Sequence, residues 1–315
     1  MTRYILSRAA QALLVLWGAF TLSFVLLQVM PGDAVLIKFQ DPELGLSPQQ
    51  ISDIRASYGA DESAFVQYAH VLGRTLAGQL GYSIETGVPV SRMLHAAYPT
   101  TLRLAVVSFG GAIMLAASFA TAALLAPLRP LRAALRLVPG LASGIPVFWL
   151  EIVAIQLVSF HWKLVPVVGV SGWAAAVLPG LALAIPISAP LTQVFLSAAE
   201  RVMAQPFIDV LRARGASPLR ILYAHVLPNA LPPTLTISGL VFGEILAGAV
   251  VTETVFGLDG LGQLAQQAVA NQDVAVLQAI ILISVAGFVV INFTVDALHP
   301  LIDPRIRRTQ AGGAA

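Results

Sequence analysis

Residues Leu231–Val251, LPPTLTISGLVFGEILAGAVV, run for 21 positions with a single charged side chain, Glu244. A helix rises about 1.5 Å per residue, so about 20 such residues cross the ~30 Å hydrocarbon core of a bilayer. The pattern recurs along the chain, at Ala9–Met30, Leu102–Ala126, Leu137–Phe160, Ala174–Ala199 and Val276–Leu298. Only 11% of the 315 residues are charged, 57% are hydrophobic and the mean hydropathy is +0.82. Soluble domains carry about 25% charged residues. The expected fold is therefore all-α and polytopic, with six transmembrane helices. The ten-residue alternations of a membrane β-barrel are absent.

Working outward, the stretch before Leu231 is charged. Asp209–Arg220, DVLRARGASPLR, holds three arginines. Asp209–Arg214 suits a short helix, and Gly215 suits the residue after its end, where φ is often positive. Ser217 and Pro218 then read as the N-cap and first position of a second helix reaching to Pro228. The expected geometry is helix, sharp turn, helix. Basic residues set the orientation: 12 of the 18 lysines and arginines fall on the side that holds both termini and this turn. By the positive-inside rule that side is cytoplasmic. The basic N-terminal flank and the long run to Met30 read as an uncleaved first span rather than a signal peptide.

These boundaries divide the chain into an N-terminus with the first span (1–30), an external helical loop (31–101), a core of five further spans (102–300) with a cytoplasmic loop at 200–228, and a tail (301–315). In the external loop, Gln49–Tyr58 and Phe65–Leu80 have helical spacing, and Ser47-Pro48 is a cap signal. Prolines 139 and 146 in the third span and 179, 186 and 190 in the fourth predict kinks.

Polar groups at membrane depth usually face a cavity or another helix. Gln28, Glu151, Gln156, Gln193, Glu244, Asn292 and Asp296 qualify. Glu244, mid-span, suits a translocation path, a subunit interface or a buried helix contact. Gln193 and Asn292 are further path candidates, and Glu253 and Asp259 lie where a gate would be. Glu151 reads better as an interhelix contact, and Asp296 as structural.

Several chemistries are disfavoured. The chain has no cysteine, and its five histidines form no pair at ligand spacing, so no metal site is expected. The only lysines, Lys38 and Lys163, follow Ile37 and Trp162, so there is no P-loop. Gly169-Val170-Ser171-Gly172 with His299 matches the pattern of rhomboid-type intramembrane serine proteases, but the two are predicted near opposite faces. A self-sufficient channel or secondary transporter is the other alternative, and neither paired broken helices nor inverted repeats support it.

The 209–228 stretch resembles the cytoplasmic motif of permease subunits of ATP-binding cassette importers. Asp209-Val210-Leu211 stands for its Glu-Ala-Ala, Gly215 follows at the right spacing, and His225-Val226-Leu227-Pro228 stands for Ile-x-Leu-Pro. Further elements resemble the peptide and nickel permease family. They are Pro31-Gly32-Asp33, Val66-Gln67-Tyr68, Gly81-Tyr82-Ser83, Pro99-Thr100-Thr101-Leu102, Gly248–Phe256 (GAVVTETVF), Gly260-Leu261-Gly262 and Asp303-Pro304-Arg305. Leu258-Asp259 departs from that family's usual Trp-Pro.

The resemblance implies a type I importer permease of the bacterial cytoplasmic (inner) membrane, not itself an enzyme. It implies docking of the cytoplasmic motif on a separate ATPase through Asp209, Arg212, Arg214, Gly215, Ser217 and Pro228. The implied partners are a second homologous permease, two ATPase subunits that bind ATP and Mg, an external substrate-binding protein and the lipid bilayer, with no nucleic acid. The cargo would be a small peptide, glutathione, an opine metallophore or a nickel chelate. The terminal Leu301–Arg308 and the Gly172-Trp173, Leu178-Pro179 elements lean towards a metal chelate.

Overall fold

The computed structural model describes residues 2–29, 47, 49–50 and 63–302, which are almost wholly helical. Pro31-Gly32-Asp33, most of Gln49–Tyr58, Asp303-Pro304-Arg305 and the side chains of Gln28 and His299 lie outside the described residues. Within the 31–101 loop, the backbone N–H of Ser47 donates to Gln50 Oε1 (2.8 Å) and that of Gln50 to Ser47 Oγ (3.3 Å). This is a reciprocal capping box.

The chain forms two compact units. One comprises residues 1–99 and 259–289, the other 100–258 and 290–315.

In the first unit, helix α1 (Thr2–Phe24) runs into a π turn at Val25–Val29, and α2 (Ala64–Leu76) follows. Tyr68 of α2 sits edge-on to Phe20 and Phe24, at centroid distances of 5.4 and 5.2 Å, and its hydroxyl is 2.9 Å from that of Thr21. The tyrosine of the Val66-Gln67-Tyr68 element thus holds α2 on the first span. The rest of this unit is built from the start of α3 (Val90–Leu125), from α10 (Leu261–Ala270) and from the start of α11 (Val274–Ile302). Val90, Leu94 and Ala97 pack with Leu261, Ala268, Val276 and Ile280.

The second unit is organised around α6 (Trp173–Met203), the most buried of the long helices. Ala105, Ala112 and Ala116 of α3 pack with Leu183, Ile187 and Leu191 of α6 and with Val241 and Ile245 of α9 (Leu227–Phe256). Small residues set the spacing. A Cβ on Gly180 would fall 2.6 Å from Val107 Cγ1, and one on Gly248 would fall 2.8 Å from Leu183 Cδ1. Without a hydrophobic drive between helices in lipid, such close backbone approach is what holds membrane helices together. Between α3 and α6 lie α4 (Arg129–Ser143) and α5 (Val147–Ala154), the latter ending in a π turn at Ile155–His161.

Four expectations change. The third span is not one helix: α4 and the Val147–His161 segment meet at 101°. Pro146 has no N–H to continue the ladder, and its ring opposes the carbonyl four residues back. The fourth span, by contrast, passes Pro179, Pro186 and Pro190 as one unbroken helix. The helix that begins at Pro218 does not stop at Pro228 but continues to Phe256 as a single 39-residue span. A π turn at Leu222–Val226, with the N–H of Leu227 on the carbonyl of Leu222, shifts the hydrogen-bond register just before the proline. At the other end of the chain, α3 begins at Val90 rather than at Leu102, with Pro99 inside it.

Among the described residues, with the bent pair counted as one, six segments are long and apolar enough to cross a membrane, by length and composition.

Candidate functional site

The charged turn is built from α7 (Pro206–Ala213) and α8 (Pro218–Ile221), which leads through the π turn into α9. Pro206 opens α7 at a position that needs no N–H donor. Its far end closes as a Schellman motif. The N–H of Gly215 donates to the carbonyl of Arg212 at 2.9 Å, and that of Ala216 donates to Leu211 at 3.1 Å. Gly215 has φ +78°, and a Cβ there would meet open space. Its requirement is conformational, not steric. Ser217 then caps α8, its Oγ accepting from the N–H of Arg220 at 3.3 Å.

One face of this helix–turn–helix is anchored. Ile208, Ile221, Leu222 and Val226 are buried against Leu196, Ala199 and Val202 of α6 and Ala123 of α3. The opposite face is exposed and mixed: Phe207, Val210, Leu219 and Tyr223 stand among Asp209, Arg212, Arg214 and Arg220. Large apolar side chains interleaved with arginines give this exposed face a composition common in protein–protein interfaces. Asp209 and Arg212 are joined at 2.9 Å with side chains 78% and 52% exposed. Beside the turn, Arg136 of α4 reaches Glu200 of α6 at 2.6 Å.

Asp209, Arg212, Arg214, Gly215 and Ser217 are thus brought together in one turn. Pro228 lies further on, exposed inside the continuous helix. The intramembrane candidates are dispersed over the second unit. Glu244 is exposed midway along α9, in a stripe with Thr236, Leu240, Ala247 and Val251 that recurs at helical spacing. Gln193 is exposed on α6, its Nε2 3.7 Å from where a Cβ on Gly140 would lie. Asn292 of α11 packs against Gly239, filling the space a side chain there would need.

Among the described residues, two carboxylates, Glu151 and Glu253, are fully buried. Thr101 Oγ1 donates to Glu253 Oε1 at 2.6 Å, and Thr252 Oγ1 donates to Glu151 Oε1 at 2.5 Å. Glu151 is the interhelix contact its sequence position suggests. Neither threonine partner was identifiable from sequence, since the pairs are 152 and 101 residues apart. Ser171, of the protease-like match, lies in an exposed turn ahead of α6, where Gly169 and Gly172 both take positive φ.

Membrane-length helices that carry an anchored, exposed cationic turn define a polytopic membrane protein. The chain belongs to the family described as binding-protein-dependent transport system inner membrane component, which matches residues 112–308; the N-terminal region described for such components matches residues 1–105. It is a multi-pass inner-membrane protein. It is 31% identical over 317 residues to the oligopeptide transport system permease protein AppB of Bacillus subtilis, covering 97% of this chain and 99% of that protein. It is 29% identical over 347 residues to the dipeptide transport system permease protein DppB of Escherichia coli, covering 98% and 99%. Among solved structures, a chain of the inward-facing MetNI methionine ABC transporter superposes with a TM-score of 0.57 at 20% identity, over 68% of this chain and 98% of that one. That likeness shows the importer-permease fold.

Proposed function

We propose that this protein is the transmembrane permease subunit of an ATP-binding cassette importer for small peptides. It would form half of the translocation path beside a second, homologous permease. The observation that carries the reading is the anchored helix–turn–helix of α7 and α8, whose exposed face mixes aromatic, aliphatic and arginine side chains. In this reading the turn lies on the cytoplasmic side, as do both termini, and seats in a groove of a separate ATPase that binds ATP and Mg. Cargo arrives on the opposite side from a substrate-binding protein.

ATP hydrolysis moves the turn, and the turn moves the spans between inward and outward access. The stripe of Glu244 on α9 faces out of the chain, where a path shared with the second permease would run. Relatives named for peptides, dipeptides and oligopeptides favour peptide cargo over a metal chelate.

The test is a mild-detergent purification of the tagged chain from native membranes, with mass spectrometry of what accompanies it. A P-loop ATPase and a second six-span permease are expected. Recovery of the chain alone, under conditions that preserve a control transporter, would overturn the reading and reopen the channel alternative.

A further inference from the structure

Glu151 sits on α5, an eight-residue helix with a joint at each end. On one side is the 101° break at residues 144–146, on the other the π turn Ile155–His161. A segment held between two such joints can move as a short lever. Its polar tie is the hydrogen bond from Thr252 on α9 to Glu151 Oε1. Both residues are fully buried, and among the described residues Glu151 Oε2 has no hydrogen-bond partner. The carboxylate is therefore held in apolar surroundings by this one threonine, and losing it would leave a buried polar group unpaired.

Thr252 is also four residues from the end of the 39-residue helix that starts at Pro218 in the docking turn. At about 1.5 Å per residue, one continuous helical span of about 50 Å joins the turn to this clasp. The adjacent Glu253 takes the hydroxyl of Thr101 on α3. Rigid elements with discrete side-chain attachments are what carry coupling between distant sites.

We propose that Glu151 and Thr252 are positioning residues of the transport cycle: their clasp makes α5 follow the far end of α9, so that displacement of the α7–α8 turn is delivered to the broken third span. This inference rests on reading that turn as the element that docks the ATPase. A contact serving only fold stability would lower the amount of folded protein and leave the yield of transport per ATP unchanged. A positioning contact changes the yield.

The experiment uses the full complex of this chain with its second permease, ATPases and binding protein in proteoliposomes. It reads ATP hydrolysis together with uptake of labelled dipeptides. Thr252→Val and Glu151→Leu are expected to lower dipeptide moved per ATP by about tenfold, while Glu151→Gln, whose amide oxygen still accepts from Thr252, stays within about twofold of wild type. The absence of native cysteine allows spin labels at Phe148→Cys on α5 and Val251→Cys on α9, both exposed. Their separation should be the same in nucleotide-free and vanadate-trapped complexes, and should vary between the two states once Thr252→Val is added.

An unchanged yield in both Thr252→Val and Glu151→Leu would overturn the proposal. So would a label separation that changes between states in the otherwise wild-type chain. A wild-type complex that fails to assemble with an ATPase, or that hydrolyses ATP without moving any dipeptide, would instead count against the function proposed above. Where the complex assembles and hydrolyses ATP without moving dipeptide, the label measurement is independent of cargo and still decides the clasp.

Discussion

Ser83 and Asp273, 190 residues apart in the chain, are joined by a hydrogen bond in which the serine hydroxyl donates to Oδ2 at 2.5 Å. Both side chains are buried. The same serine accepts from the N–H of Thr86, and the other oxygen of Asp273 accepts from the N–H of Val276 at the start of α11. The Gly81-Tyr82-Ser83 element is thereby fastened to the turn between α10 and α11.

Ser83→Ala leaves Asp273 buried without its side-chain donor. A loss of about 1–3 kcal/mol is expected, the penalty for an unsatisfied buried polar group. Thermal unfolding of the purified chain in detergent should show the midpoint falling by several degrees. An unchanged midpoint would mean the bond adds nothing to the fold.

Gly215 is needed for its φ of +78° and not for space. A left-handed conformation costs an ordinary residue roughly 1–2 kcal/mol, and a β-branched one more, while asparagine visits it readily. Gly215→Val should reduce ATP-driven uptake by about tenfold with membrane insertion intact, and Gly215→Asn should keep most of it. Equal uptake in the two variants would remove the requirement for the turn.

Reversing Asp209 separates docking from folding. The Asp209–Arg212 pair is exposed, so its loss should change stability by less than about 1 kcal/mol. Asp209→Arg is nevertheless expected to abolish uptake by disturbing the docking face. Co-purification of the ATPase should fall in parallel, while the melting midpoint stays within a degree or two. Full uptake in this variant would take Asp209 off the docking surface.

Gly180 and Gly248 are both crowded, but by different neighbours. A Cβ at Gly180 meets Val107 Cγ1 and Cβ at 2.6 and 2.8 Å and the backbone N of Ser108 at 3.3 Å. At Gly248 it meets the flexible end of Leu183. Gly180→Ala therefore has to push α3 and α6 apart, whereas Gly248→Ala asks only for a rotamer change. Overpacking of the first kind costs about 1–3 kcal/mol. Gly180→Ala should give the lower melting midpoint of the two, and the reverse order would contradict the packing of α3 on α6.

Much of this was legible in the sequence because the bilayer imposes a local rule. Every backbone group inside it must be bonded within its own segment, so 20-residue apolar runs are helices wherever they occur. The turn at 209–217 was equally legible. Its Schellman glycine, its N-cap serine and its first-turn proline all act within a few residues of themselves. The capping box of Ser47 and Gln50 and the helix at Ala64–Leu76 follow the same logic.

What the sequence left open depends on contacts between distant segments. Prolines are the clearest case. Three lie inside α6 without ending it, one at Pro146 breaks the third span, and Pro228 is carried through a π turn. Residue type alone does not separate these outcomes, because each depends on what neighbouring helices do with the freed backbone. Glu244, Glu151 and Glu253 likewise look alike as charges in apolar runs. The fold leaves the first exposed and buries the other two on Thr252 and Thr101. Local chemistry fixed the helices and the turn at 209–217. The tertiary structure alone decided which polar groups meet, since a hydrogen bond across 100 residues or more leaves no periodic trace in the chain that forms it.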